Sequence, residues 1–158
     1  MGVPARSVPR GADPHAAAVR RDAFYPGDAY VDWWAINLFS TKSLTASATR
    51  DFLDEADRKG FPVMIGESTP FHHNVAEGKA IIDAWYAPYF GLIRSSPGIK
   101  AFCYIDWDWG AYPQWADWGD ARIEKNAAVL SFYRAQVVSK LFTGAAGRAS
   151  TMSLLRAK

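Results

Sequence analysis

A carboxylate closes the short apolar run Phe61-Pro-Val-Met-Ile-Gly-Glu67-Ser68. Such a Glu, rigidly held where neighbours tune its reactivity, can act as nucleophile or general acid at a glycosidic carbon. A strand-end Glu that caps a helix or pairs with Lys or Arg would look the same in sequence. Asp106 and Asp108, after the run Ile99-Lys-Ala-Phe-Cys-Tyr-Ile105, offer a second carboxylate, although Asp residues in loops also hold turns. Trp107 and Trp109 alternate, so in an extended segment they face one way. One of them can floor a sugar subsite, or both can pack beneath the loop. His72 and His73 are adjacent and no third ligand is spaced to match, which argues against a zinc site; they suit hydrogen-bonding cleft walls or a solvated loop. Cys103 is the single cysteine; its mid-strand position predicts a core residue, not a nucleophile. No nucleophile elbow, phosphate loop or dinucleotide fingerprint is present.

The elements that must place these groups follow from periodicity. Residues 1–23 carry Pro, Gly, Ala and Arg without a sustained period and read as a disordered or poorly packed lead-in. Tyr30–Phe39 is nearly continuous in apolar residues, as a strand covered on both faces would be. A helix over Ser47–Lys59 shows Ala48, Phe52, Leu53 and Ala56 on one stripe, with Gly60 as its C-terminal cap. The strand Phe61–Ser68 precedes a helix over Gly78–Ser95, which Pro88 should kink or break. The strand Ile99–Trp107 leads through an aromatic loop, 107–118, to a helix over Asp120–Phe142. Residues 143–158 read as a frayed tail. The order β-α-β-α-β-α predicts parallel strands joined by right-handed crossovers, either a small three-layer sheet or a section of a larger barrel. Chemistry would then gather at the carboxyl ends of the strands.

Composition narrows the function classes. The 158 residues suffice for one core, and a net charge of +2 implies no long-range field toward nucleic acid or an anionic membrane. No apolar stretch is long enough to span a bilayer, and no secretory signal is legible on this chain. Seven Trp, seven Tyr and nine Phe exceed what packing needs, and Trp107, Trp109, Tyr112, Trp115 and Trp118 crowd together. Rings of this kind stack on the apolar face of a pyranose or build a wide hydrophobic core.

Tyr25-Pro-Gly-Asp28 with Tyr30-Val-Asp-Trp-Trp-Ala-Ile-Asn-Leu-Phe39 resembles the sixth strand of mannanase-type glycoside hydrolases (family 26). Pro62-Val-Met-Ile-Gly-Glu-Ser68 resembles their seventh strand and Ile105-Asp-Trp-Asp-Trp109 their eighth. The resemblance covers residues 24 to about 142. It implies the last three units of a TIM (β/α)8 barrel and a retaining β-glycosidase with Glu67 as nucleophile. It further implies an oligosaccharide or polysaccharide substrate held by Trp107, Trp109, Asn37, His72 and Tyr104, and no metal or organic cofactor. In that family the acid/base Glu lies on the fourth strand, upstream of these units, and residues 1–23 contain no Glu. The chain is thus expected to be inactive alone and to expose open sheet edges through which it can self-associate. The alternative is a non-catalytic carbohydrate-binding module that uses the aromatic rim. A third possibility is a small enzyme pairing Glu67 with Asp106 or Asp108. Members of the family are often secreted; the chain itself carries no sign of its compartment.

Overall fold

The computed structural model describes residues 25–139 and 142. The expected lead-in, 1–23, and tail, 143–158, lie outside them. Residues 25–32 hold one short turn, in which Tyr30 N donates to Gly27 O at 3.0 Å. The expected strand therefore starts later, at Trp34.

Three parallel strands form one sheet in the order β1-β2-β3: β1 is Trp34–Leu38, β2 is Val63–Ser68 and β3 is Ile99–Phe102. The chain is α/β, as expected. Helices α1 (Thr41–Thr45) and α2 (Ser47–Lys59) follow β1. The amphipathic stripe places α2 at its predicted bounds, and Gly60 ends it at φ 77°, donating its N–H to Ala56 and Asp57. The short α1 is not evident from periodicity; Ser40 starts it by accepting from Ser43 N.

The helix expected over Gly78–Ser95 is divided into α3 (Lys79–Ile81), a π turn (Ile82–Tyr86) and α4 (Ala87–Ser95). The interruption lies just before Pro88. Proline has no N–H to return to the carbonyl four residues earlier, that of Ala84. Thr41 Oγ1 from α1 donates to Ala84 O at 2.9 Å instead. Thr41→Val keeps the volume and strips the donor. It should lower unfolding free energy by about 1 kcal/mol in urea titration.

One face of the sheet packs against the helices. Trp34, Leu38, Val63 and Ile65 are buried there with Trp85, Tyr89, Phe90 and Ile93. The Trp85 and Tyr89 rings stack at 4.5 Å, and Trp85 Nε1 donates to Phe39 O at 3.0 Å, fixing the helical layer to the end of β1. Helix α5 (Ala127–Val137) closes the layer, with Tyr133 against Phe90 at 5.4 Å. It is shorter than the helix expected from Asp120: Asn126 caps it through the amides of Ala128 and Val129, and a separate turn, Ile123–Lys125, precedes it. The opposite face carries Ala35, Asn37, Glu67 and Lys100, all exposed. The expectation that β1 is covered on both faces is not met among the described residues.

Candidate active site

The sheet register sets Glu67. Ile36 pairs with Ile65 but Asn37 pairs with Glu67, so Gly66 is the extra residue of a bulge in β2. The bulge turns Glu67 onto the open face and returns Ser68 to the buried one. Asn37 Nδ2 donates to Glu67 Oε2 at 3.3 Å. Gly66 leaves room for this pair, since a Cβ there would stand 3.1 Å from Asn37 Oδ1. One carboxylate oxygen is thereby oriented, and the residue remains exposed to an incoming ligand.

Beside it the strand end is tightly held. Ser68 Oγ donates to Cys103 O at 2.7 Å and meets the Tyr89 hydroxyl at 2.9 Å. Cys103 and Ile105 continue hydrogen bonding to β2 through Ile65 O and Ser68 O, although β3 proper ends at Phe102. Cys103 is exposed, not in the core as expected, because among the described residues no helix covers the face it joins.

Tyr104 Oη donates to Ala121 O at 2.7 Å and lies 2.6 Å from the Tyr86 hydroxyl. Burial raises both phenols far above their ordinary range, so they act as neutral hydrogen-bonding groups. The hydroxyl expected to meet sugar is thus committed to the interior.

Trp107 and Trp109 part company, because a turn over Trp109–Ala111 breaks the extended segment. Trp107 is 48% exposed and nearly parallel to Tyr112. Trp109 donates from Nε1 to Thr69 Oγ1 at 3.4 Å and packs against Trp115 and Trp118. Phe39 and Phe71 also meet Trp118, at 5.7 and 4.6 Å. The segments that follow all three strands therefore converge, as the parallel order requires.

His72 has φ 64° and its Nδ1 lies 3.0 Å from Asp117 O; His73 Nδ1 lies 3.0 Å from Glu77 Oε2. The His72 ring ties the loop after β2 to the aromatic loop, while His73 braces its own segment. Among the described residues no group of three His, Cys, Asp or Glu is arranged to hold a metal.

The two Asp candidates serve the same loops. Asp106 accepts from Ile123 N at 2.7 Å, while Asp108 accepts from Arg122 at 2.8 Å. Arg122 also binds Asp120, and nothing in the sequence pattern singles out this cluster. The Arg122 hydrogen bond is the main cause that holds the Asp120 carboxyl below its ordinary value, against burial. A depressed folded-state value stabilises the fold above the unfolded value of about 3.9, and that contribution is lost as pH falls through the folded one. Asp120→Asn should narrow the gap in melting temperature between neutral and acid pH, as read by circular dichroism.

A shallow concavity lined by Asp57, Gly60, Phe61, Pro62, Pro97, Gly98 and Lys100 lies at the opposite, N-terminal ends of β2 and β3. It contains none of the candidate residues.

No family model matches the chain. It is 26% identical over 126 residues to a beta-1,3-xylanase of an Alcaligenes species, and 25% identical over 125 residues to a beta-1,3-xylanase of a Vibrio species. These matches cover 65% and 64% of this chain but 27% of each relative, so the chain spans about a quarter of the length of the curated relatives it matches. Both names are those of xylanases, and the narrower mannanase resemblance finds no counterpart in them. The likeness supports a glycoside hydrolase.

Proposed function

We propose that the chain carries the nucleophile-bearing part of a retaining glycoside hydrolase barrel acting on a β-linked polysaccharide, with β-1,3-xylan as the first substrate to test and β-1,4-mannan as the second. The observation that carries this reading is Glu67. It stands on the open face at the carboxyl end of the central strand, and one of its oxygens is oriented by Asn37. In the proposed reaction the Glu67 carboxylate attacks the anomeric carbon, the bond to the leaving oxygen breaks, and a covalent glycosyl-enzyme forms. A second carboxyl group gives its proton to the leaving oxygen, then takes one from water as the water oxygen bonds the anomeric carbon and the ester bond to Glu67 breaks. Retention needs that group about 5–5.5 Å from the first. Asp106 and Asp108 are engaged by Ile123 and Arg122, so the acid/base is assigned to polypeptide outside the described residues.

An activated aryl glycoside separates the two roles. Its phenolate leaves without a proton, so the nucleophile alone suffices for the first step. The purified chain should not hydrolyse β-1,3-xylan, β-1,4-mannan or related glycans. A 2-fluoro aryl β-xyloside should nevertheless leave a glycosyl adduct on the peptide containing Glu67, seen by mass spectrometry. An adduct elsewhere, or none, would remove Glu67 from the nucleophile's role. Robust polysaccharide hydrolysis would instead show that a second carboxylate is already in place. The exposed rings of Trp107, Tyr112 and Trp115 favour a second reading, a carbohydrate-binding surface without catalysis. That reading predicts glycan affinity with no adduct.

A further inference from the structure

Trp107, Tyr112 and Trp115 are 48%, 38% and 40% exposed. Exposed apolar patches are often functional when their residues are contiguous. The Trp107 and Tyr112 rings lie 6.2 Å apart and 21° from parallel, and Tyr112 meets Trp115 at 6.3 Å and 61°. They make a strip that turns at its far end.

The strip is braced from beneath. Tyr112 N donates to Trp109 O at 3.0 Å and Trp115 N to Tyr112 O at 2.9 Å. Trp109 supports Trp115 edge-on at 5.5 Å. Trp109 is in turn bonded to Thr69, two residues beyond Glu67. Carboxylate and strip therefore share one framework, and binding the strip costs little ordering of the loop.

We infer that Tyr112 and Trp115, with Trp107 as the bridge, form a distal subsite that stacks an additional sugar unit of a long neutral glycan. This rests on the carbohydrate reading of Glu67 and extends it to chain-length selectivity. Area argues against a protein partner. Three aromatic side chains about half exposed offer roughly 300 Å², well short of the about 800 Å² per partner of a standard protein interface. The Trp107 and Tyr112 rings, 21° from parallel, suit the C–H faces of pyranoses, and exposed Gln114 and Asp117 lie on the same loop.

The test is calorimetric titration of the full chain with short and long β-1,3-xylo-oligosaccharides. The wild type should bind the long series more tightly. Tyr112→Ala and Trp115→Ala should each weaken long-chain binding about three- to tenfold and leave short-chain binding unchanged. Tyr112→Phe keeps the ring and should match the wild type. Trp115 also packs on Trp109, so if its variant melts early, the exposed Tyr112 carries the test. Equal affinity for both lengths, no oligosaccharide binding, or unchanged long-chain affinity in Tyr112→Ala would overturn the subsite. So would the finding that these variants lose self-association in place of glycan binding. Covalent labelling of Glu67 is read separately, so failure of the strip and failure of the nucleophile are distinguishable.

Discussion

Glu67→Gln should slow cleavage of an activated aryl β-xyloside by on the order of 10⁴-fold, with a melting temperature close to the wild type. The magnitude is that of removing a nucleophile whose attack the rest of the site only assists. Stability should hold because the side chain is exposed and the amide has the same shape. The amide oxygen can still accept from Asn37 Nδ2, the bond that measures 3.3 Å to the carboxylate. A variant that loses both rate and stability would instead assign Glu67 a structural part. Glu67→Ala with added azide distinguishes nucleophile from acid/base. If Glu67 is the nucleophile, azide attacks the anomeric carbon directly as the phenolate leaves, and the product is the inverted α-glycosyl azide. If Glu67 is the acid/base, a glycosyl-enzyme still forms on another carboxylate, azide displaces it, and the β-azide results.

Local signals gave those parts of the fold whose causes are local. The stripe Ala48, Phe52, Leu53 and Ala56 with Gly60 behind it located α2, and the apolar run broken by Glu67 located β2 and its polar tip. Pro88 marked the interruption of the second helix, but its form depended on Thr41, 47 residues before Pro88 in sequence and beside Ala84 in space. The end of β3 was not legible. Tyr104 is drawn to Tyr86 and Ala121, and Asp106 to Ile123, and none of these partners is signalled by period or composition. The aromatic loop was visible as a cluster of rings, but not which rings face solvent. That division follows from the turn at Trp109 and the bond from Trp109 to Thr69. Asn37 was expected to hold sugar, and its bond to Glu67 was not foreseen because it required the bulge at Gly66. A register shift is a property of two strands and cannot be read from one.

The seam between the loops after β2 and β3 yields the largest expected loss of stability. Gly119 has φ 83° and ψ −173°, a conformation available essentially to glycine alone. A Cβ there would stand 1.9 Å from His73 O and 2.8 Å from its carbonyl carbon. Gly119 O accepts from both Trp109 N and Gly110 N, and the next carbonyl, Asp120 O, accepts from Val75 N at 2.8 Å. Relief of the clash must move backbone that carries these bonds, together with His73 and its link to Glu77. Strain of about 1–3 kcal/mol and overpacking of about 1–3 kcal/mol add, so Gly119→Ala should cost about 3 kcal/mol or more in urea unfolding. The near-ultraviolet signal from the Trp109–Trp118 contact should change with it. Gly60 supplies the control: its φ is 77°, but nothing lies within 4 Å of an added Cβ. Gly60→Ala therefore reports left-handed strain alone, about 1–2 kcal/mol. The excess cost at Gly119 measures the closeness of the seam. Equal losses at the two glycines would mean that the loops part easily, and that the framework joining Glu67 to the aromatic strip is looser than its hydrogen bonds imply.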